Sequence, residues 1–151
     1  MPRLGLGTSK LREASQVEIA IRSAGYRHLD SASFYENEEV VGEGLANCIT
    51  SGAVQREDMF ITTKMWHTEY ENPEQALRQS LQKLRLEYVD MYLIHWPANG
   101  FSSPKVPMHV LWPKMEQLKE MGLTRAIGVS NFNTQLLADM LTYCQTKPAV
   151  N

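Results

Sequence analysis

The feature that most constrains the fold is the regular alternation of short apolar runs with longer amphipathic segments along the 151 residues. The apolar runs have the length and composition of β-strands and cover residues 4–8, 26–30, 59–66, 89–97 and 125–132. Between them, apolar side chains recur at helical spacing, as in the segment that carries Val40, Val41, Leu45 and Ile49. Five strand–helix units, with residues 147–151 beginning a sixth strand, predict a parallel sheet with helices packed outside it.

Signals at the helix ends support this division. Gly25 and Gly122 each follow an amphipathic segment, in the place where glycine commonly ends a helix. Asn72 precedes Pro73, which is the order expected for an N-cap and the first helical position. Asn133 can cap a last helix in the same way. The sequence therefore predicts helices with defined boundaries between the strands.

Two folds contain this repeat, a doubly wound open sheet and a (β/α)8 barrel. A doubly wound dinucleotide fold expects GxGxxG after its first strand, whereas LGLGTSK supplies only Gly5 and Gly7. The polar residues at the strand ends favour the barrel, and they are Asp30, Lys64, His95 and the pair Ser130 and Asn131. Because the carboxyl ends of barrel strands converge on one mouth, we expect these side chains to share a site. The fold class predicted for residues 1–151 is α/β, as a partial (β/α)8 barrel.

The strand-end residues together suit proton transfer to a carbonyl oxygen. Lys64 can pair with Asp30 while its ammonium group approaches Tyr35, and this positive charge would help the phenol to release a proton. His95 can donate a hydrogen bond that orients a substrate oxygen. In carbonyl reduction a hydride reaches the carbon while the oxygen takes a proton. Since no side chain supplies a hydride, a cofactor is required.

Four segments carry a resemblance to a known family. LDSASFYENE (29–38), ITTKMW (61–66), YLIHWP (92–97) and AIGVSNF (126–132) resemble, in order and spacing, successive signatures of the aldo-keto reductase superfamily. GLGT (5–8) resembles that family's first barrel strand. The resemblance implies a (β/α)8 barrel and an oxidoreductase that reduces aldehydes or ketones to alcohols by hydride transfer from NADPH, with NADP+ as the oxidised form.

The resemblance also implies roles for individual residues. Tyr35 would be the proton donor, tuned by Asp30 and Lys64, and His95 would orient the carbonyl group. Cofactor contacts would come from Thr8, Asp30, Ser130 and Asn131, the last two at the nicotinamide carboxamide. The pocket for a small-molecule carbonyl substrate would be lined by Phe34, Trp66, His95 and Trp96.

The chain corresponds to about the first half of the family's eight-stranded barrel. The aromatic side chain that stacks on the nicotinamide and the basic segment that binds the 2′-phosphate belong, in the family, to the seventh and eighth strands. The segment 98–108 resembles a short version of a loop that is often longer. We therefore expect a truncated product, whose open first and last strands favour association with a complementary fragment or with a second copy.

Two alternative functions follow from the same residues. The chain can be a non-catalytic remnant or interaction fragment that keeps the family's residues by descent. Lys64 can also form a Schiff base, because barrels place such lysines at strand ends. Asp30 argues against this second alternative, since it favours the charged ammonium form.

Composition excludes several classes of partner. A net charge of −2 lacks the excess of positive charge that is typical of proteins that bind nucleic acid or an anionic membrane. No apolar run approaches the ~20 residues that span a bilayer, and the N-terminus lacks a signal-peptide core. Cys48 and Cys144 show no metal-binding spacing, so we expect reduced thiols and no metal. These features predict a cytoplasmic protein.

Overall fold

The computed structural model describes residues 1–97 and 106–151. The predicted loop 98–108 lies largely outside the described residues. The chain alternates strands and helices in the order β1 (Leu6–Gly7), α1 (Ala14–Arg22), β2 (His28–Asp30), α2 (Glu38–Thr50), β3 (Phe60–Met65), α3 (Pro73–Leu84), β4 (Val89–Ile94), α4 (Met108–Glu120), β5 (Thr124–Val129) and α5 (Thr134–Met140). Short 3₁₀ turns at Ser33–Tyr35 and His67–Glu69 follow β2 and β3.

The five strands form one parallel sheet in the order β1-β2-β3-β4-β5. Each strand pairs with the next one along the chain, so the strand order never reverses. A doubly wound sheet reverses its order at a switch point, whereas a barrel adds its strands in sequence. The observed order is therefore that of a barrel wall.

The register divides the strand residues between two faces. Leu29 pairs with Ile61 and Tyr92 with Ile127, and these side chains lie on the face covered by the helices. Asp30 pairs with Thr62 and Lys64 with Leu93, which places them on the opposite, inner face. All six residues of β4 are buried, as expected for a parallel strand covered on both sides.

The helical layer packs closely enough to need glycine at one helix crossing. Gly42 in α2 lies against the C-terminal end of α3, where an added Cβ would collide with the Lys83 carbonyl oxygen and come within 2.6 Å of the Leu84 carbonyl carbon. The core between helices and sheet includes the fully buried side chains of Ile21, Val41, Leu77, Trp112 and Met115. The lack of a side chain at Gly42 therefore allows α2 to approach the C-terminal end of α3 closely.

The predicted helix signals agree with the structure. The side chain of Asn72 accepts a hydrogen bond from the Gln75 amide, and Pro73 is the first residue of α3. Asn133 caps α5 by accepting from the Leu136 amide at 2.9 Å. Gly25 and Gly122 have φ angles of +72° and +75°, the left-handed conformation that ends a helix.

The predicted strands were too long at their carboxyl ends. β4 ends at Ile94 and β5 at Val129, so His95, Ser130 and Asn131 lie just beyond the strands rather than within them. Residues 147–151 do not form a regular sixth strand. They do lie along β5, where the Ala149 amide donates to Ile127 and the Val129 amide donates to Val150.

Candidate active site

Lys64 lies at the centre of the predicted site. Its Nζ is 2.6 Å from Asp30 Oδ1, 2.9 Å from the Ser31 carbonyl oxygen and 3.3 Å from Tyr35 Oη. The lysine is only 5% exposed, so its ammonium group depends on these protein oxygens for most of its hydrogen bonds. The predicted ion pair between Lys64 and Asp30 is therefore present, and the same ammonium group reaches the phenol.

The backbone explains why these three residues meet. Lys64 is the fifth residue of β3, and the parallel register places β2 beside it with Asp30 at the strand end. The chain then makes a 3₁₀ turn, Ser33–Tyr35, which ends at Glu36 with a φ of +54°. Asn37 fixes the exit of this turn, because its Nδ2 donates to the carbonyl oxygens of Thr8 and Leu11 at 2.6 and 3.0 Å. The Tyr35 hydroxyl is thereby directed back toward Lys64.

His95 lies across the mouth from Tyr35. The two ring centroids are 5.7 Å apart and the rings are nearly perpendicular, at 83°. Burial, followed by the positive charge of Lys64, lowers the pKa of His95 to about 4. The imidazole is therefore neutral at neutral pH and carries one N–H. Its Nδ1 is buried and has no hydrogen-bond partner within residues 1–97 and 106–151.

Aromatic rings surround His95 on the side of the predicted substrate pocket. Phe34 and Trp66 stack with centroids 3.9 Å apart and planes 20° from parallel. The edge of this pair faces the imidazole, with Trp66 5.2 Å from the His95 centroid. Phe34 is 54% exposed and Trp96 is 46% exposed, so both present apolar surface to solvent. The stacked pair forms one flat wall of the mouth.

The predicted cofactor residues Thr8, Asp30, Ser130 and Asn131 lie at the carboxyl ends of β1, β2 and β5. Asn131 adopts a left-handed φ of +64°, and its Nδ2 donates to the His95 carbonyl oxygen at 2.8 Å and to Ser130 Oγ at 3.1 Å. These bonds occupy both amide hydrogens of Asn131 and leave its carbonyl oxygen as an acceptor. Thr8 is fully buried, with its hydroxyl 3.3 Å from the Asp30 carbonyl oxygen.

An open cavity of about 240 Å³ lies on the inner face of the sheet below these residues. Its lining includes His28, Asp30, Lys64, Leu93 and Ser130. The cavity joins the end of β2 to the end of β5, and Asp30, Lys64 and Ser130 therefore border one continuous space.

Two acidic residues that the sequence analysis did not assign join neighbouring elements of the fold by hydrogen bonds. Glu38, only 2% exposed, accepts from Thr63 Oγ1 at 2.6 Å and from Ser80 Oγ at 3.0 Å, and burial raises its pKa. Glu69 accepts from Ser33 Oγ and from the Trp66 amide, both at 2.7 Å. A sequence signal for Glu69 exists, since it is an acid three residues beyond a strand end. The sequence contains no comparable signal for the burial of Glu38, because an acid in the first turn of a helix is ordinarily exposed.

Within residues 1–97 and 106–151, no group of three or more His, Cys, Asp or Glu side chains is arranged to hold a metal ion. In the same ranges, no helix has both the length and the apolar character needed to cross a membrane.

The sequence profile of the aldo/keto reductase family matches residues 3–151. The chain belongs to this family. Among curated aldo-keto reductases, it is 41% identical to aldo-keto reductase family 1 member A1-A of Danio rerio and 44% identical to methylglyoxal reductase DkgA of Yersinia pestis. Both matches cover 100% of this chain and 52% of the relative.

Solved aldo-keto reductase structures show the same fold. The Bombyx mori aldo-keto reductase, solved in complex with NADP, superposes with a TM-score of 0.92 at 36% identity and covers 100% of this chain. The aldose reductase of Schistosoma japonicum superposes with a TM-score of 0.90 at 37% identity. This chain covers 53% and 56% of those two proteins. The aldo-keto reductase fold seen here is therefore a partial barrel, and the chain spans about half the length of the relatives it matches.

Proposed function

We propose that this site reduces the carbonyl group of an aldehyde or ketone to an alcohol, with NADPH as the hydride source and Tyr35 as the proton donor. The observation that carries the proposal is the position of Lys64, whose ammonium group lies 2.6 Å from Asp30 and 3.3 Å from the Tyr35 hydroxyl. A cation held beside a phenol assists the transfer of the phenolic proton to a developing alkoxide.

Tyr35 and His95 have different roles at the substrate oxygen: Tyr35 donates the proton and His95 orients the oxygen. The two rings face each other across the mouth, so one oxygen can approach both the Tyr35 hydroxyl and the imidazole. His95 is neutral, with its pKa lowered to about 4 by burial and by the charge of Lys64, and it therefore orients the oxygen without protonating it. Tyr35 gives its proton to the oxygen as negative charge develops there, and Lys64 stabilises the phenolate that remains.

The chemistry of the residues at the mouth fits part of a nicotinamide cofactor. Asn131 has a free carbonyl acceptor beside Ser130, and this pair suits the donor and acceptor groups of a carboxamide. In the strand order, Asp30 at the end of β2 lies between the end of β1 and the Ser130–Asn131 pair. The proposed cofactor contact of Thr8 would come from its position at the end of β1, since its side chain is buried. When bound, the cofactor supplies the hydride that no side chain can provide.

The competing proposal is a non-catalytic remnant or interaction fragment. It is favoured by one observation, that the chain spans about half of the relatives it matches. A Schiff-base reaction at Lys64 is disfavoured by the 2.6 Å ion pair with Asp30, which stabilises the charged ammonium form over the nucleophilic amine.

The test mixes purified chain with NADPH and 4-nitrobenzaldehyde and follows the absorbance of the reduced nicotinamide. Carbonyl reduction predicts turnover that Tyr35→Phe abolishes and that Tyr26→Phe, at the start of the β2 run, leaves unchanged. Turnover that survives Tyr35→Phe would refute the proton-donor assignment. No turnover in a folded chain would favour the remnant.

A further inference from the structure

We propose that Glu69 and Tyr70 are positioning residues that brace the three loops at the mouth and hold the aromatic wall beside His95. The inference rests on the proposed function for its kinetic consequence, but the brace itself is a property of the folded chain. Both residues lie in the turn that follows β3, between the loop that carries Tyr35 and the segment that carries His95 and Trp96.

Glu69 connects the loop after β2 to the loop after β3. Its Oε2 accepts from Ser33 Oγ at 2.7 Å and from the Trp66 amide at 2.7 Å. A carboxylate that only capped its own turn would use the Trp66 amide alone. The second bond crosses to Ser33, which is 36 positions away and immediately precedes Phe34 and Tyr35. Bonds from neutral donors to a carboxylate are short and strong, so they restrain both loops.

Tyr70 connects the same turn to the segment after β4. Its side chain is 1% exposed and its hydroxyl donates to the Trp96 carbonyl oxygen. Burial raises the pKa of Tyr70, so the hydroxyl keeps its proton and remains a donor at any ordinary pH. The adjacent side chains of Glu69 and Tyr70 thus restrain the loops that carry Phe34, Trp66 and Trp96.

The consequence concerns the shape of the mouth rather than the proton transfer. Phe34 and Trp66 belong to different loops, yet their rings stack at 3.9 Å and present their edges to His95. For an exposed side chain such as Phe34, the free energy gained by stacking is offset by the entropy cost of ordering the side chain. The bond between Ser33 and Glu69 fixes the backbone next to Phe34 and so fixes one half of the stack.

Tryptophan accessibility tests the brace without requiring catalysis. In a Trp96→Phe background, Trp66 is the accessible reporter, because Trp112 is fully buried. We expect Glu69→Ala to raise the acrylamide quenching constant about twofold, since loss of the bonds frees the loop to open locally. Glu71→Ala, an exposed acid two residues away, should leave it unchanged. Glu69→Gln keeps an acceptor oxygen in place and should restore most of the protection.

A matched pair of variants tests the same idea if Glu69→Ala fails to fold. Ser33→Ala removes the bond to Glu69 together with a longer contact, 3.2 Å, from the same hydroxyl to the Lys64 carbonyl oxygen, and it should also raise the quenching of Trp66. In a Trp66→Phe background, Tyr70→Phe should raise the quenching of Trp96, because it removes only the hydroxyl that reaches that residue's carbonyl. Unchanged quenching in Ser33→Ala and Tyr70→Phe, with circular dichroism like that of the parent, would overturn the brace.

Kinetics separate a positioning role from a role in the chemical step. For Glu69→Ala, KM for 4-nitrobenzaldehyde should rise by about tenfold or more, because the variant loses both hydrogen bonds that Glu69 accepts, from Ser33 and from the Trp66 amide. KM for propanal, which is too small to need the aromatic wall, and kcat for both substrates should change less than about threefold. Equal losses of kcat on both substrates would contradict the assignment. If the parent chain shows no turnover, the proposed function fails, and the quenching measurements alone decide the brace.

Discussion

The Nζ of Lys64 lies 3.3 Å from the hydroxyl oxygen of Tyr35, and the same atom is held 2.6 Å from Asp30. The cation is therefore placed against the phenol by a carboxylate behind it, on a strand where Lys64 is 5% exposed. This relationship supports the proposed role of the lysine in proton transfer, in addition to its ion pair with Asp30.

The first prediction concerns that lysine. Lys64→Met keeps most of the side-chain volume and removes the charge, so kcat for carbonyl reduction should fall by roughly 10²–10⁴, the range of a general-acid contribution. Steady-state kinetics with 4-nitrobenzaldehyde in an active preparation would measure it. Lys83→Met, at the end of α3, is the matched control and should keep parental activity. A Lys64→Met enzyme within threefold of the parent would contradict the role of the charge.

The positions of Asp30, Lys64 and His95 could be predicted from the sequence because they follow from strand periodicity. Asp30, Lys64 and His95 lie at or just beyond the ends of successive parallel strands, and a parallel sheet places all such ends on one edge. The conformations of the loops were harder to predict from the sequence. The 3₁₀ turn that aims Tyr35 depends on Glu36 adopting a left-handed φ, which the sequence does not indicate for a glutamate.

Contacts between distant segments could not be read from the sequence at all. Ser33 and Glu69 are both ordinary loop residues, and only the assembled sheet brings them within 2.7 Å. The buried Glu38 was missed for a related reason, since its partners Thr63 and Ser80 come from a strand and a helix that follow it. Periodicity predicts which face a residue occupies, but not which polar groups meet there.

The second prediction concerns a charge cluster at the amino end of the sheet. Asp90, 3% exposed, accepts from Arg56 at 2.8 Å, from Arg125 at 3.3 Å and from the Ile61 amide at 2.9 Å. Asp90→Ala would leave Arg56, whose side chain is only 14% exposed, without its nearest carboxylate, so the free energy of unfolding should fall by about 3–5 kcal/mol. Arg125→Ala, which removes a side chain that is itself 57% exposed, should cost about 1 kcal/mol or less. Urea unfolding of both variants would measure the difference, and equal losses would refute the distinction.

The third prediction concerns Gly42. Gly42→Ala should destabilise the fold by about 1–3 kcal/mol, because the new methyl group meets the backbone at the end of α3, which cannot rotate away as a side chain can. The usual helix-propensity gain of about 1 kcal/mol for replacing glycine would be outweighed. Gly7→Ala, where an added Cβ meets nothing within 4 Å, is the control. Thermal unfolding that shows Gly42→Ala more stable than its parent would contradict the packing argument.

The fourth prediction is a pH dependence of stability. The pKa of His95 is lowered from 6.5 to about 4 in the folded chain, mainly by burial. Between these two values the unfolded chain binds a proton at this position that the folded chain does not, so stability falls as pH decreases through this window. The loss should approach about 3 kcal/mol near pH 4, less where solvent at the mouth screens the imidazole.

His95→Gln isolates this contribution, because glutamine does not titrate. The difference in unfolding free energy between parent and variant should change steadily from pH 6.5 down to pH 4 and stay constant above pH 7. Other buried groups, such as Glu38 with its raised pKa, affect parent and variant equally and cancel in the difference. A difference that is constant across the whole range would show that His95 titrates normally.

The last prediction concerns NADPH binding by residues 1–151. Ser130 and Asn131 are proposed to contact the carboxamide of the cofactor, while the resemblance assigns the 2′-phosphate and ring-stacking contacts to strands seven and eight. Phosphate recognition by basic side chains carries much of a dinucleotide's affinity. Lacking several such bonds, at roughly 1.5–3 kcal/mol each, the chain should bind NADPH in the millimolar range or more weakly, not in the micromolar range.

A titration of the monomeric chain, following fluorescence of Trp66 and Trp96, measures this affinity directly. Trp66 lies against His95 and Trp96 is an exposed ring at the next position of the chain, so we expect a bound nicotinamide to quench them, whereas the fully buried Trp112 reports little. The Bombyx mori aldo-keto reductase, solved with NADP, serves as the positive control. Saturation of residues 1–151 at micromolar NADPH would mean that the five βα units hold the cofactor without the phosphate-binding strands. A saturation that also depended on protein concentration would point to a second copy supplying them across the open edges of the sheet.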